Sequence, residues 1–493
     1  MIYLLISLFL AAGCGQENVV AAEAPAVDKH EIAFASAGGE QTVVVTSSGE
    51  VSVVPADAWV TANIKAKSGS RTLVVFKAQT NQSPDARQTV AIVEADGERL
   101  SVDIRQEGVD LPAGTSGGLA AQMNERFGIG WNLGNHFDAF SNGVSGETVW
   151  GNPKATRVTF TEVKAKGFST VRIPVTWLGH VGEAPEYKIE EAWLDRVAEV
   201  VGYAEAAGLN VIINIHHDGS ESKYWLDVVG AARDEEIHKR VIAQTKAMWT
   251  QIAEKFKDKG DFLVFESFNE VHDGKWGWGT NKTDGGKQYR CLNEWNQAFV
   301  DAVRAVGGKN ADRILGVPAY CTSVDIAIES FVMPKDTAED RLMLSVHSYD
   351  PSEYTLTAKY SEWGHTADAS KKVAGDNEAE LMRMFEKIHA NFVSKGIPVY
   401  LGEMGCVNRA TAREQRFQQY YLSYFAKLAR IYGVPVILWD NGAKGAGNER
   451  HAFINHSTGA YCSTEAEAAV KAFVGSYENG LTLEDIYNGA PKQ

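Results

Sequence analysis

The sequence is short of paired cysteines and of positive charge, and each shortage excludes a class of function. Its 493 residues include five cysteines, none in a C-x-x-C pair, so a zinc site built on that spacing is not expected. Lys and Arg number 48 against 63 for Asp and Glu, a net charge of −15, and no Lys/Arg run offsets this excess locally. Because nucleic acid binding depends on neutralising phosphates, we expect no nucleic acid partner.

The apolar stretch at the N-terminus is also too short to span a membrane. Residues 2–12 are almost wholly apolar, but a membrane-spanning helix needs about 20 residues, so the run is typical of a signal-peptide core. It is followed by Gly13-Cys14-Gly15, which resembles a bacterial lipobox, where the cysteine is lipidated and becomes the new N-terminus. We predict a lipoprotein signal peptide over residues 1–14, lipidation at Cys14 and a tether over residues 15–28. A plain secretion signal or a misplaced start codon is the alternative.

Residues 29–108 carry the alternating pattern of short β-strands. Runs such as QTVVVT at 41–46 and TLVVF at 72–76 read as strands, and Gly-Gly at 38–39 and Asp-Gly at 96–97 are turn signals. Several short strands at this spacing predict a small all-β sandwich. Residues 109–118, rich in Gly, Ser and Pro, have the composition of a linker.

Beyond the linker the rhythm changes to apolar runs separated by long amphipathic helices. The apolar runs are 127–133, 170–175, 210–216, 263–270, 313–320, 342–350, 398–405 and 434–442. Near-continuous apolar strands are what a parallel sheet buried on both faces requires. Eight such units over residues 119–487 predict an α/β fold, a (β/α)8 TIM barrel preceded by the sandwich.

Polar and aromatic residues collect at the ends of these runs, where a TIM barrel places its active site. The candidate site residues are Asn135, Arg172, His216, His217, Asn269, Glu270, His347, Tyr349, Glu403 and Trp439. Glu270 and Glu403 end the fourth and seventh runs, on nearly opposite sides of the barrel. That placement can bring the two carboxyl groups to about 5–5.5 Å, the spacing of a retaining glycosidase.

The neighbours of the two glutamates suggest how their roles divide. Arg172, if it reaches Glu403, would stabilise an ionised nucleophile, and Tyr349 can donate a hydrogen bond to the same carboxylate. Asn269 can hold the substrate 2-hydroxyl, and Trp439 offers an apolar floor for a sugar ring.

This ordered set resembles glycoside hydrolase family 5. Residues 130–135 (GWNLGN), 171–177 (VRIPVTW) and 293–297 (NEWNQ) resemble subfamily 4, which contains cellulases, xyloglucanases and mixed-linkage glucanases. The resemblance implies Glu270 as acid/base and Glu403 as nucleophile, with the other candidates positioning them or binding glucose. It also implies a β-glucan polysaccharide substrate, no cofactor and no metal, and a cis peptide bond after Trp439. A monomer is expected.

The N-terminal segment resembles the BACON domains found ahead of Bacteroidetes glycanases, through Ala58-Trp59-Val60 and the closing DIRQ at 103–106. Any immunoglobulin-like spacer is the alternative. We assign the segment no catalysis and expect it to hold the enzyme off a membrane. The predicted location is that of a secreted bacterial lipoprotein at the outer membrane, on the cell surface or on the periplasmic face, attached only through its lipid anchor.

The leading hypothesis is a retaining endo-β-1,4-glucanase, and xyloglucan-specific action is the close alternative. Mannan and xylan are more distant substrates. Two hypotheses come from other functional classes. The first is a non-catalytic surface glycan-binding lipoprotein with an inactive barrel, and the second is a structural lipoprotein whose β-domain is the functional part. Intact Glu270 and Glu403 argue against the first, and the crowded rim argues against the second.

Several further residues have competing interpretations. Glu266 precedes Glu270 by four residues and is interpreted as structural. Because neighbouring residues on a strand point to opposite faces, we expect His216 and His217 not to share a metal ion. Four rim acids are predicted to cap loops: Asp138, Asp218, Asp350 and Asp440. Four tryptophans are predicted to line either a sugar subsite or a protein core: Trp276, Trp278, Trp295 and Trp363.

Overall fold

The computed structural model describes residues 24–109, 118–375 and 377–492. Its contacts divide the chain into two compact units, one ending at Val109 and the other beginning at Asp110. The predicted signal peptide, with Cys14, lies outside the described residues, as do most of the tether and of the linker. Within the described ranges, every helix is too short or too polar to cross a membrane.

The first unit is all-β, as predicted. Its strands are β1 (Ala26–Val27), β2 (Glu31–Phe34), β3 (Gly39–Thr46), β4 (Val51–Pro55), β5 (Val60–Ser68), β6 (Arg71–Ala78), β7 (Arg87–Ala95) and β8 (Glu98–Gln106). They form two four-stranded sheets, in the orders β1-β3-β6-β5 and β2-β8-β7-β4. Alternate residues of both sheets share one core, which includes Val43, Phe76, Val93 and Ile104.

One boundary differs from the sequence-based prediction. Ala26 and Val27, assigned to the tether, form strand β1 and pair antiparallel with Thr46 and Val45 of β3. The side chain of Val27 is 7% exposed and belongs to the sandwich core. The sandwich therefore begins at Ala26 instead of residue 29, because a two-residue strand has too little alternation to be seen in the sequence.

The second unit is a closed barrel of eight parallel strands, which confirms the TIM-barrel prediction. The first barrel strand is β9 (Ile129–Asn132), and a small separate hairpin of β10 (Phe140–Ser141) and β11 (Val144–Ser145) follows it in the chain. The other barrel strands are β12 (Thr170–Ile173), β13 (Asn210–Asn214), β14 (Leu263–Glu266), β15 (Leu315–Pro318), β16 (Leu342–Ser348), β17 (Val399–Met404) and β18 (Val436–Leu438). Every residue of these eight strands is buried, which explains why the runs are apolar throughout.

Helices surround the barrel. They are α1 (Leu119–Phe127), α2 (Arg157–Ala165), α3 (Glu191–Ala206), α4 (Val228–Ala231), α5 (Glu235–Lys255), α6 (Lys287–Val306), α7 (Val324–Ser330), α8 (Ser352–Thr355), α9 (Asn377–Asn391), α10 (Ala412–Tyr432), α11 (Thr464–Glu478) and α12 (Leu483–Asn488). Met123 and Phe127 of α1 pack against Ile212, Met343 and other residues inside the barrel. This helix fills the end of the barrel opposite the polar rim.

Candidate active site

Arg172, on β12, lies at the centre of the polar rim and is fully buried. Its guanidinium donates to Glu403 Oε1 at 2.7 Å, to Glu266 Oε2 at 2.8 Å and to Asn269 Oδ1 at 2.8 Å, with a longer bond to Asn132 Oδ1 at 3.2 Å. The planar fork of an arginine suits several oxygen acceptors at once. Arg172 thus orients four residues that come from three different strands or their ends, β9, β14 and β17.

Glu270 and Glu403 face each other across the rim. An oxygen of each carboxylate and a ring nitrogen of His347 all lie within 4.8 Å of one another. His347 Nδ1 is 2.7 Å from Glu270 Oε1 and 3.8 Å from Glu403 Oε1, so its ring lies between the two carboxylates. Tyr349 donates its hydroxyl to Glu403 Oε2 at 2.8 Å. The carboxylate separation is close to that of retaining enzymes and well short of the roughly 6.5–9.5 Å of inverting ones.

The two carboxyl groups have different electrostatic surroundings. Burial raises the pKa of both Glu270 and Glu403. For Glu403, the ion pair with Arg172 and the hydrogen bond from Tyr349 oppose that rise directly. Burial also lowers the pKa of His347 to about 4, so near neutral pH the ring is uncharged. Arg172 and Tyr349 bond directly to Glu403, and this favours the ionised form at Glu403 and a proton on Glu270.

The remaining candidates lie on the same rim. His216 and Trp439 are buried and their rings are parallel, with centroids 6.2 Å apart. His216 Nε2 is 3.9 Å from Glu403 Oε1. His217 is in edge contact with His216, at 4.4 Å between centroids. Asn135 is half-buried in the segment after β9 and has a positive φ of 53°.

Glu266 is structural, as interpreted from the sequence. Besides Arg172, it accepts hydrogen bonds from Asn214 at 2.8 Å, Ser345 at 2.6 Å and Tyr400 at 2.7 Å, and none of its surface is exposed. These bonds occupy both carboxylate oxygens. Glu266 therefore holds Arg172 in place and is shielded from any substrate.

The expectation that His216 and His217 point apart is wrong. Strand β13 ends at Asn214, so the alternation of a strand does not extend to them, and both rings lie within 4.8 Å of Asp138. This group still does not fit a cation. Asn214 Oδ1 accepts the Val175 N–H, so its Nδ2 donates to His216 Nδ1 at 3.1 Å. The His216 proton is then on Nε2, which leaves neither ring nitrogen free to bind a metal.

Three of the four rim acids cap loops. Asp138 accepts the backbone N–H groups of residues 135 and 136, Asp218 that of residue 177, and Asp440 those of residues 442, 453 and 454. Asp350 has a weaker contact, at 3.4 Å, with the Ser348 hydroxyl. These bonds shape the loops around the site.

The four tryptophans that had two interpretations differ in how much of each residue is exposed. Trp295 and Trp363 are buried and belong to the protein core. Trp276 is 55% exposed and lines a cavity beside Glu270, whereas Trp278 is 86% exposed. Cys291, Cys321, Cys406 and Cys462, whose pairing the sequence does not decide, are all free thiols.

Some residues of the site were not singled out in the sequence. Asn132 and Asn214 are buried within strands and hydrogen-bond to Gly402 O and Glu266 respectively. The sequence signal that could have identified them is an amide side chain inside an otherwise apolar run. Trp150, whose ring is 5.7 Å from that of His217, gave no such signal because its loop is irregular.

The cis peptide bond expected after Trp439 is not found. Within the described residues, the cis bonds precede Pro185 and Pro351. The Trp439 N–H donates to Met404 O at 2.7 Å, so the strand pairing of β18 with β17 continues to this residue. That expectation was wrong.

We expect Tyr349→Phe to narrow the pH range of activity from its acid side. If Glu403 is the nucleophile, as the resemblance implies, it must be ionised to attack, and activity is then lost as pH falls through its pKa. Loss of the Tyr349 hydrogen bond, which favours the ionised form, raises that pKa, since a bond to a charged group is worth about 1.5–3 kcal/mol. The acid limb of kcat/KM against pH should move upward while the basic limb, set by Glu270, stays. An unmoved acid limb would show that this bond does not tune Glu403.

Comparison with known proteins assigns the family. The family model "Cellulase (glycosyl hydrolase family 5)" matches residues 134–445. Endoglucanase A of Paenibacillus barcinonensis is 36% identical over 66% of this chain and 83% of its own length. A xyloglucan-specific endo-β-1,4-glucanase of Bacteroides ovatus is 29% identical over 90% of both chains. The structure of a broad-specificity endoglucanase of subfamily 4 from Bacteroides salanitronis is 52% identical, covers 76% of this chain and 98% of its own, and has a TM-score of 0.72. With its barrel and paired glutamates, this chain belongs to glycosyl hydrolase family 5 and is a glycoside hydrolase.

Proposed function

We propose that the protein is a retaining endo-β-1,4-glucanase that hydrolyses plant cell-wall β-glucans of the cellulose or mixed-linkage type. The observation that carries this proposal is the pair of carboxylates whose oxygens lie within 4.8 Å, one of them held by Arg172 and Tyr349. The endoglucanase relatives support the substrate class.

The geometry supports a double displacement. The Glu403 carboxylate attacks the anomeric carbon while Glu270 transfers its proton to the glycosidic oxygen, so the bond to the leaving sugar breaks and a glycosyl ester forms on Glu403. Glu270, now ionised, takes a proton from a water molecule whose oxygen attacks the same carbon. The ester bond breaks, Glu403 is ionised again and Glu270 is again protonated, ready for the next cycle.

The surrounding residues have assigned tasks in this scheme. Asn269, whose Oδ1 is held by Arg172, has its amide N–H groups available for the 2-hydroxyl of the sugar under attack. Trp439 provides the floor beneath that sugar, and His216 and His217 border it. Asn135 is assigned to the same substrate-binding group from its position on the rim.

Xyloglucan is the second candidate substrate. It is favoured by the Bacteroides ovatus relative, which aligns over 90% of both chains and therefore beyond the barrel. A non-catalytic glycan-binding role, the alternative from another class, has less support because Arg172 and Tyr349 hold Glu403 in a reactive arrangement that binding alone does not require.

The decisive experiment measures reducing-end release by the protein from Glu17 onward. The substrates are carboxymethyl cellulose, mixed-linkage β-glucan, xyloglucan and glucomannan, and NMR records the anomer that forms first. We expect cleavage of β-1,4-glucans with a β-anomer as first product. An inert protein, or an α-anomer, would require the proposal to be withdrawn.

We further propose that the N-terminal segment is a BACON-like spacer on a monomeric lipoprotein anchored at Cys14 to the outer membrane. The short apolar run before Cys14 supports the anchor, and the all-β fold supports the spacer. In a host cell, Cys14→Ala should move the enzyme from the detergent phase to the aqueous phase of a Triton X-114 extract. Equal partitioning of wild type and variant would refute lipidation.

A further inference from the structure

A cavity of about 190 Å³ adjoins the acid/base Glu270. One wall is the segment after β14, including Glu270, His272 and Trp276, and the facing wall is the segment after β13, including Ser220 and Glu221. Glu403 does not line it. The cavity therefore extends the site on the side of the proton donor. Most of the residues that line the cavity have no role in the double displacement described above.

The loop that carries Trp276 is rigidly braced. The Asp273 carboxylate accepts the backbone N–H groups of Lys275 at 3.1 Å and Thr280 at 2.6 Å, and Tyr320 accepts the Asp273 N–H at 3.0 Å. Gly277, with φ of 83°, lies so close to α7 that an added Cβ would be 2.5 Å from Ile326 Cδ1. These contacts hold the loop in place as one wall of the cavity.

Trp276 is held in a costly position that packing does not explain. Its φ is +50°, a region that costs a non-glycine residue of order 1–3 kcal/mol. One face of its ring is stacked on His272, with centroids 4.2 Å apart and planes at 28°. Because the residue is still 55% exposed, the strain is not offset by burial. A residue that is strained in this way and buries little of its surface is typical of ligand-binding positions.

His272 presents a fixed donor to the same cavity. Its Nδ1 accepts the Gly274 N–H at 2.9 Å, so the neutral ring carries its proton on Nε2. The His272 carbonyl in turn accepts a bond from Ser222 at 3.2 Å, which joins the two walls. Ser220, Glu221 and Ser222 all have positive φ values, of 32°, 61° and 62°, so the facing wall is also held in a strained shape.

We propose that this cavity is a sugar-binding subsite in which the exposed face of Trp276 stacks on a pyranose ring and His272 Nε2–H donates to one of its hydroxyls. An aromatic face with a fixed polar donor beside it suits the apolar face and hydroxyl edge of a sugar. The ring is either a glucose of the main chain on the leaving-group side or a sugar branching from that chain. This inference rests on the proposed function.

Two alanine variants in the same loop test the subsite. Trp276→Ala removes the stacking ring, and Trp278→Ala is the matched control, since Trp278 is 86% exposed and does not line the cavity. Steady-state kinetics are measured on unbranched mixed-linkage β-glucan and on xyloglucan. We expect Trp276→Ala to lower kcat/KM about five- to tenfold, the effect of about 1–1.4 kcal/mol of lost aromatic contact, and Trp278→Ala to match the wild type.

The pattern across substrates identifies the sugar. A loss on both polymers assigns the ring to the main chain, and a loss on xyloglucan alone assigns it to a branch. His272→Gln, which removes the ring that supports Trp276, should give a loss on the same substrates. Active wild type with Trp276→Ala equal to Trp278→Ala on both polymers overturns the subsite and leaves the proposed function standing. A wild type inert on both polymers refutes the proposed function itself.

Discussion

Glu403→Ala is expected to lose nearly all hydrolysis, and azide is expected to restore turnover with a product of inverted configuration. On the proposed roles, the variant lacks the nucleophile but keeps the proton donor, and a small anion fits the space that the carboxylate leaves. Azide then attacks the anomeric carbon from the face that Glu403 used, so an aryl β-cellobioside yields an α-glycosyl azide. The product is identified by NMR.

Glu270→Ala should behave differently with the same reagents. Loss of a general acid typically costs about 10²–10⁴-fold, but an activated aryl leaving group needs little protonation, so the glycosyl ester on Glu403 still forms. Azide replaces water in the second step and gives a β-glycosyl azide. Glu403→Gln is the matched control, because it leaves no space for azide and should not be rescued. If Glu403→Ala gives the β-azide and Glu270→Ala the α-azide, the two roles are reversed.

Arg172→Met is expected to remove activity and also to destabilise the barrel. Glu266 and Glu403, which are 0% and 5% exposed, would lose their shared cation. Breaking a buried ion pair from one side costs about 3–5 kcal/mol in the free energy of unfolding. Calorimetry should therefore show a lower Tm, and kcat/KM should fall because Glu403 is no longer held ionised.

A second buried arginine separates these two effects. Arg304 on α6 pairs with Asp336 at 2.7 Å, and both side chains are 6% exposed, but neither belongs to the site. Arg304→Met should lower the Tm to a similar extent and leave kcat/KM unchanged at temperatures where the protein is folded. Wild-type kcat/KM in Arg172→Met would show that the ion pair with Glu403 is not needed for catalysis.

The sequence by itself determined the barrel and the rim residues. Strands buried on both faces must be apolar throughout, so eight runs were visible without any structure, and side chains at their ends must meet on one rim. Glu270 and Glu403 could be singled out because they lie at the ends of the fourth and seventh runs. The position of each strand can be predicted in this way because the apolar pattern is a local property of the sequence.

Only the tertiary structure decided how these side chains contact one another. Sequence alternation placed His216 and His217 on opposite faces, but the strand ends at Asn214 and the loop brings both rings towards Asp138. The bonds that favour the ionised form of Glu403 come from β12 and from the segment after β16, which are distant in sequence. Trp276 lines the cavity while Trp278 does not, although the two are only two residues apart in one loop. A loop follows no period, so its side chains are directed by backbone bonds and strain that only the folded chain contains.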